Sequence, residues 1–156
     1  MQIKTKFSKI FYWILVILVL LFCAFILFNN LGAEPVKLWD EARRAVSAYE
    51  MYKNGLGIVT TYEQLPDMWG TKPPLLIWLQ TLSFHAFGVS TFALRVPSAL
   101  SGFFCCMILL IIWGSFRGTH LRGIFSALIL ISTYGFVGYH SARTGDFDAL
   151  LSLWVF

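Results

Sequence analysis

The chain has 156 residues, 58% of them hydrophobic and 13% charged, with a net charge of +4 and a mean hydropathy of +0.71. That balance excludes an ordinary soluble domain, and it predicts a polytopic all-α helical membrane protein. The basic residues gather at the ends of apolar runs, where they read as topology signals rather than as a nucleic-acid surface.

Lys4, Lys6 and Lys9 precede an unbroken apolar run from Ile10 to Phe28, long enough to cross a bilayer. Positive flanks stay cytoplasmic, so the N-terminus is expected inside and Asn29 outside. Leu31-Gly32-Ala33 is a poor cleavage site, so the run is expected to remain as an anchor. Next, Leu38, Ala42, Ala45, Tyr49 and Tyr52 recur at four, three, four and three, which predicts an amphipathic helix in the interface plane, ended by Asn54-Gly55. Leu38 and Trp39 belong to the side that anchors it there.

Pro73 to Phe87 is ambiguous: it is short for a span and contains Gln80 and His85, so it is either an interfacial or re-entrant helix or, in a rival count of four spans that breaks the positive-inside rule, a crossing. Val96 to Trp113 is a better span, and a basic loop with Arg117, His120 and Arg122 follows it. Ile124 to Tyr139 predicts another span, and residues 149–156 begin a further one. That last run has no polar flank, so the chain is expected to be the N-terminal part of a longer protein. With the N-terminus and the basic loop both cytoplasmic, two crossings separate them, at 10–28 and 96–113. Residues 29–95 then form one large external loop, and His140 to Asp148 returns to the face where Asp40 sits. The three cysteines, Cys23, Cys105 and Cys106, lie within apolar runs and are expected to be small buried apolar residues.

Three polar stretches stand beside these runs. Asp40-Glu41 opens the amphipathic helix, where dipole and free N–H groups favour an ionised carboxylate. Asp40 is either a cap paired to Arg44 one turn on, or a general base at the membrane surface. Lys72, fixed by Pro73-Pro74, either snorkels to lipid headgroups or holds the phosphate of a lipid-linked substrate. Arg143-Thr144-Gly145-Asp146-Phe147-Asp148 supplies a phosphate-gripping arginine and a D-x-D pair, or else a polar turn between helices. Two carboxylates alone are a weak divalent-metal signal, and His140 is by itself a weak one. There is no glycine-rich nucleotide loop.

Together "WDEARRAVSAYEM", "WGTKPPLLIWLQTLSFHAFGVSTFALRVPSALSG" and "HSARTGDFDALLSLW" resemble the N-terminal part of the bacterial lipid-carrier-dependent glycosyltransferases. This is the GT-C group of the protein O-mannosyltransferases and lipid A aminoarabinose transferases. The resemblance runs from about Leu38 to the end, with D-E, K-P-P-L, R-x-P-S-A and R-x-x-x-x-D-A-L in the family's order. It implies that residues 1–156 are part of one GT-C-like transmembrane domain in the bacterial inner membrane. It also implies a sugar donor on polyprenyl phosphate and an acceptor hydroxyl on lipid, glycan or protein. By the same resemblance Asp40 is the expected base, Glu41 supports it, and Lys72 and Arg143 lie near the donor phosphate. Asp148 matches the acid opening the next span, and Arg44, Asp146 and His140 are secondary candidates. Many relatives work without a bound divalent ion, so a metal is an open expectation. Several relatives carry an acid just before K-P-P, where this chain has Trp69-Gly70-Thr71, so donor identity does not transfer. The competing expectation is a non-catalytic transporter or scaffold, or a truncated inactive product, that keeps the fold.

Overall fold

The computed structural model describes residues 2–115 and 120–155, so Arg117 of the expected basic loop lies outside the described residues. Among the described residues seven helices follow in order: α1 Gln2–Phe28, α2 Asp40–Asn54, α3 Leu75–Phe87, α4 Thr91–Ser115, α5 His120–Ser132, α6 Tyr134–Val137 and α7 Asp148–Val155. Between α2 and α3 lies one small hairpin, β1 Thr61–Tyr62 and β2 Leu65–Pro66, paired Thr61 to Pro66 and Tyr62 to Leu65. Glu63 and Gln64 form its two-residue turn, both at positive φ, as a right-handed hairpin twist requires. All the other regular elements of the described chain are helices, as its composition predicts.

Among the described residues two helices are long and apolar enough to cross a membrane, Ile10–Phe28 within α1 and Thr91–Ile112 within α4. On α1 the buried residues Val16, Val19, Cys23 and Leu27 recur at helical spacing and form one stripe. They pack on Val96, Ala99, Cys106 and Leu110 of α4 and on Ile124, Ala127 and Ile131 of α5. Away from that stripe Phe11, Ile14, Leu18 and Phe25 are exposed and apolar, as suits a helix in lipid. All three cysteines are buried and free. A second, smaller core joins α2, α3 and the first turns of α4 through Ala48, Met51, Ile77, Phe84, Ala93 and Leu94.

Two boundaries differ from the sequence expectation. Helix α4 starts at Thr91 rather than Val96, because the Ser90 hydroxyl accepts the Ala93 N–H at 3.2 Å and caps it. Arg95 is therefore a helix residue rather than a loop residue. The expected span at 124–139 is broken. Helix α5 stops at Ser132, Thr133 is extended, and a short α6 follows. The Ser132 and Thr133 hydroxyls both turn back onto the Ile129 carbonyl, at 2.9 and 2.7 Å, and so compete with continued helix.

Helix α2 has two distinct faces. Its end is where Asn54-Gly55 placed it, with Gly55 at φ 95. Glu41, Arg44, Ser47, Ala48, Glu50 and Met51 turn inward, while Leu38, Trp39 and Tyr49 on the expected anchoring side are exposed. Glu41, Arg44, Ala48 and Met51 also repeat at three, four and three. The inward stripe thus lies one residue, or about 100°, from the apolar stripe. The polar side faces in because it finds ion-pair partners there.

Candidate active site

The site forms where the N-terminus of α2, the segment before α3 and the turn before α7 meet. Asp40 is the first residue of α2, and its side chain is 54% exposed. Its N-cap is Trp39, at φ 72 and ψ −108, with no side-chain capping bond. Such a backbone costs a non-glycine residue on the order of 1–3 kcal/mol. Asp40 does not cap the helix; its carboxylate takes Arg44 instead. Arg44 Nη1 donates to the Asp40 carbonyl at 2.7 Å and to Asp40 Oδ1 at 3.1 Å.

Asp146 completes the cluster. Arg44 Nη1 lies 3.5 Å from Asp146 Oδ1, and His140 Nδ1 lies 3.2 Å from Asp146 Oδ2 and 3.8 Å from Asp40 Oδ2. The two carboxylates differ electrostatically. The hydrogen bond from Arg44 holds the Asp40 carboxyl below its usual range against some burial, with the charges of Arg44, His140 and Lys72 helping. Burial pushes the Asp146 carboxyl up, and the nearby charges of Arg44 and His140 offset this only in part. One carboxylate is thus held ionised, while its neighbour holds a proton more readily.

Asp40, His140 and Asp146 each offer a ligand atom, all within 4.8 Å of one another. Two carboxylates and an imidazole suit a divalent cation chemically. Arg44 already places one positive charge against both acids.

Phe147 connects this cluster to Lys72. The Arg44 guanidinium lies 4.6 Å from the Phe147 ring centre and Lys72 Nζ lies 5.1 Å from it. Among the described residues Lys72 makes no ion pair. Its approach is set by the turn before it. Asp67 accepts hydrogen bonds from Arg43 Nε and Nη2 and from the Trp69 N–H, and its carbonyl accepts the Gly70 N–H. A Cβ on Gly70 would stand 2.8 Å from Thr60 Oγ1, so only glycine closes this turn without a shift.

A cavity of about 650 Å³ opens onto Asp40, Arg43, Arg44, Lys72 and Phe147, with Trp39 and Trp69 also on its walls. A second, of about 260 Å³, is lined by Asp40, His140, Asp146, Lys37 and Tyr139. Asp40 lines both.

The remaining expected site residues have other partners. Glu41, expected to support Asp40 in catalysis, is 1% exposed and fully engaged. It accepts from Arg95 Nε at 2.6 Å and Nη2 at 2.9 Å, and from the Lys37 and Gly145 N–H groups at 2.8 Å each. Four accepted bonds leave no acceptor for a substrate, so Glu41 holds segments together. Arg143, expected near the donor phosphate, donates to the carbonyls of Ile26 and Asn29 and thereby caps the end of α1. The D-x-D pair is divided: Asp146 turns inward, while Asp148 is exposed at the start of α7 and joins neither Asp40 nor Lys72.

Sequence reasoning missed Arg95, Asp67 and Gln80. Arg95 uses all five of its N–H donors, on Glu41 and on the carbonyls of Leu31, Glu34 and Pro35. Gln80 donates to the Leu94 and Gly145 carbonyls. Both polar side chains stand in otherwise apolar stretches, and that was the available signal. Gly145 admits this packing because a Cβ there would stand 3.0 Å from Leu94 and 3.1 Å from Gln80.

Residues 71–156, more than half the chain, match the family described as dolichyl-phosphate-mannose-protein mannosyltransferase. The undecaprenyl phosphate-alpha-4-amino-4-deoxy-L-arabinose arabinosyl transferase of Pseudomonas savastanoi pv. phaseolicola is 31% identical over 137 residues, covering 86% of this chain and 25% of that protein. The enzyme of the same name from Shewanella sediminis is 28% identical over 145 residues, covering 90% and 25%. An uncharacterized protein of Aquifex aeolicus is 30% identical over 121 residues, covering 78% and 24%. The chain thus spans about a quarter of the length of the curated relatives it matches. No solved structure gives a significant match. By the family match across Lys72, the Arg143–Asp148 turn and α7, the chain belongs to the dolichyl-phosphate-mannose-protein mannosyltransferase family.

Proposed function

We propose that this chain carries the base and the donor-phosphate residues of a membrane glycosyltransferase, which moves a sugar from a polyprenyl-phosphate carrier to an acceptor hydroxyl. The observation that carries this reading is Asp40, a carboxylate held ionised on the wall shared by two cavities, one of them lined by Lys72 and Arg44. The names of the relatives, which act on undecaprenyl-phosphate-linked aminoarabinose, support the donor class.

The acceptor oxygen attacks the anomeric carbon as its proton passes to Asp40. The bond from that carbon to the phosphate oxygen breaks, and its electron pair leaves on polyprenyl phosphate. Lys72, fixed by the Asp67–Gly70 turn and in no ion pair among the described residues, meets the growing phosphate charge. Arg44 keeps Asp40 ionised and oriented, and His140 and Asp146 flank it. A lowered pKa makes Asp40 a weaker base but keeps it in the basic form at neutral pH. That trade suits a donor whose phosphate is already a good leaving group. A divalent ion bound at Asp40, His140 and Asp146 would add charge stabilisation.

The acceptor is a lipid, glycan or protein hydroxyl. The reaction lies at the outer face of the bacterial cytoplasmic membrane, with the N-terminus inside and the chain multi-pass. The charge asymmetry of the flanks supports this orientation, and so does the meeting of Asp40 with His140 and Asp146 at one end of the helices. The test is Asp40→Asn in the intact protein, assayed for transfer from a labelled lipid-linked sugar. Loss of turnover with retained donor binding is expected. Full turnover would remove Asp40 from the chemistry.

A further inference from the structure

Trp39 and Trp69 are 88% and 83% exposed, yet neither is a stray surface residue. Both line the cavity that holds Lys72 and Arg44. Each is placed by a polar network rather than by packing. Trp69 follows from the Asp67 turn, which is clamped to Arg43. Trp39 is fixed between Lys37, whose N–H binds Glu41, and the first helical bond of α2, from the Arg43 N–H to the Trp39 carbonyl.

Trp39 also breaks a local rule. A helix N-cap favours Ser, Thr, Asp or Asn, and tryptophan there makes no capping bond and holds φ 72 and ψ −108. Such strain persists only where the surroundings enforce it, and it gathers at ligand clamps. The strained residue directly precedes the proposed base. Two indoles beside an unpaired lysine make an amphiphile-binding pattern: charge for an anionic head and apolar faces for what trails from it.

Resting on the glycosyltransferase reading, we propose that Trp39 and Trp69 form the platform on which the first isoprene units of the polyprenyl phosphate lie, with the phosphate turned to Lys72. The backbone strain at Trp39 is kept because it presents the indole to that chain. Nothing else in the cavity offers comparable exposed apolar area next to the cations, apart from Leu38, which precedes Trp39 and lines the same wall.

The experiment measures binding of radiolabelled undecaprenyl phosphate to the intact protein in nanodiscs, beside a two-isoprene phosphate and inorganic phosphate. Trp69→Ala is expected to raise Kd for the long chain about tenfold, because alanine covers far less of the isoprene surface than an indole does, with inorganic phosphate unaffected. Trp39→Gly is expected to weaken long-chain binding similarly while Tm stays level or rises, because glycine takes positive φ without strain. Unchanged long-chain binding would overturn the platform. So would an equal loss for all three probes, or reduced insertion into nanodiscs with normal binding by the inserted fraction, which marks a bilayer anchor. A fall in Tm for Trp39→Gly with binding intact would remove Trp39 from it. Binding is measured without turnover, so these outcomes stay separate from the Asp40→Asn result, which tests the transfer reaction itself.

Discussion

Arg95 Nε stands 2.6 Å from Glu41 Oε1, joining the second turn of α4 to the first turn of α2, with both side chains buried. The same carboxylate accepts the Gly145 N–H, so one ion pair gathers α2, α4 and the turn before α7. Asp40 and Asp146 meet because their neighbours Glu41 and Gly145 are held this way. Burial pushes the Glu41 carboxyl up, but the hydrogen bonds from Arg95, Lys37 and Gly145 outweigh it and leave the group below its usual range.

Breaking this pair on one side should therefore be costly. Arg95→Leu leaves a buried carboxylate without compensation and is expected to destabilise by about 3–5 kcal/mol. Arg95→Lys is not a rescue, because an ammonium cannot supply five fixed donors. The double variant Glu41→Gln with Arg95→Met should lose less than Arg95→Leu alone. Thermal unfolding in detergent measures all three. A loss of Tm no larger than that of a surface substitution would contradict the role given to the pair.

The Arg95–Glu41 and Gln80 networks mark the limit of what the sequence discloses. The α1 span was legible because Ile10–Phe28 is long, apolar and flanked by lysines. The end of α2 was legible because Gly55 takes the positive φ that a helix stop favours. Asp40 stood out by position, but its partners His140 and Asp146 lie about a hundred residues on, and no periodicity connects them. Arg95 and Gln80 were hidden by the apolar residues around them. The inward face of α2 was not legible, because polar residues turn inward only where partners stand inside. Here Arg95 supplies one.

The opposed shifts of Asp40 and Asp146 set a pH signature. Asp40 is depressed below its unfolded value, so its stabilisation is present above that value and lost as pH falls through the folded one. Asp146 is raised, so its contribution is fullest below the unfolded value and is lost as pH rises through the folded one. In a pH–rate profile the acid limb is expected below the ordinary carboxylate range, since Asp40 stays ionised there. Arg44→Gln removes the hydrogen bond that causes the shift, so the limb should move to higher pH. A limb that stays in place in this variant would show that another group titrates in the reaction.

Lys72 and Arg143, paired by sequence as phosphate groups, should separate in experiment. Lys72 faces the cavity, and losing a preorganised charge at a leaving group typically costs on the order of 10²-fold in turnover. Arg143 caps α1 through the carbonyls of Ile26 and Asn29. Arg143→Ala should lower Tm while the protein that remains folded keeps its donor KM. Transfer kinetics measured beside thermal unfolding distinguish the two, and a large rise in donor KM for Arg143→Ala would return it to the site.

The Arg43–Asp67 clamp predicts a different kinetic pattern. Asp67 is held below its usual range by the hydrogen bonds from Arg43, with the Trp69 N–H adding to this, so it is charged at any working pH. It touches no group proposed to react, yet its turn fixes the start of the segment that leads through Thr71 to Lys72. Asp67→Asn keeps the shape and loses the charge. Partly exposed Arg43 limits the loss, so the expected effect is about 1 kcal/mol, or roughly a fivefold rise in donor KM, with kcat nearly unchanged. Gly70→Ala attacks the same turn sterically, through Thr60 Oγ1, and should act in the same direction. The Arg43→Gln and Asp67→Asn effects should be strongly non-additive in a double-mutant cycle, because both remove one interaction. Additive effects, or losses confined to kcat, would show that the clamp does not act by placing Lys72.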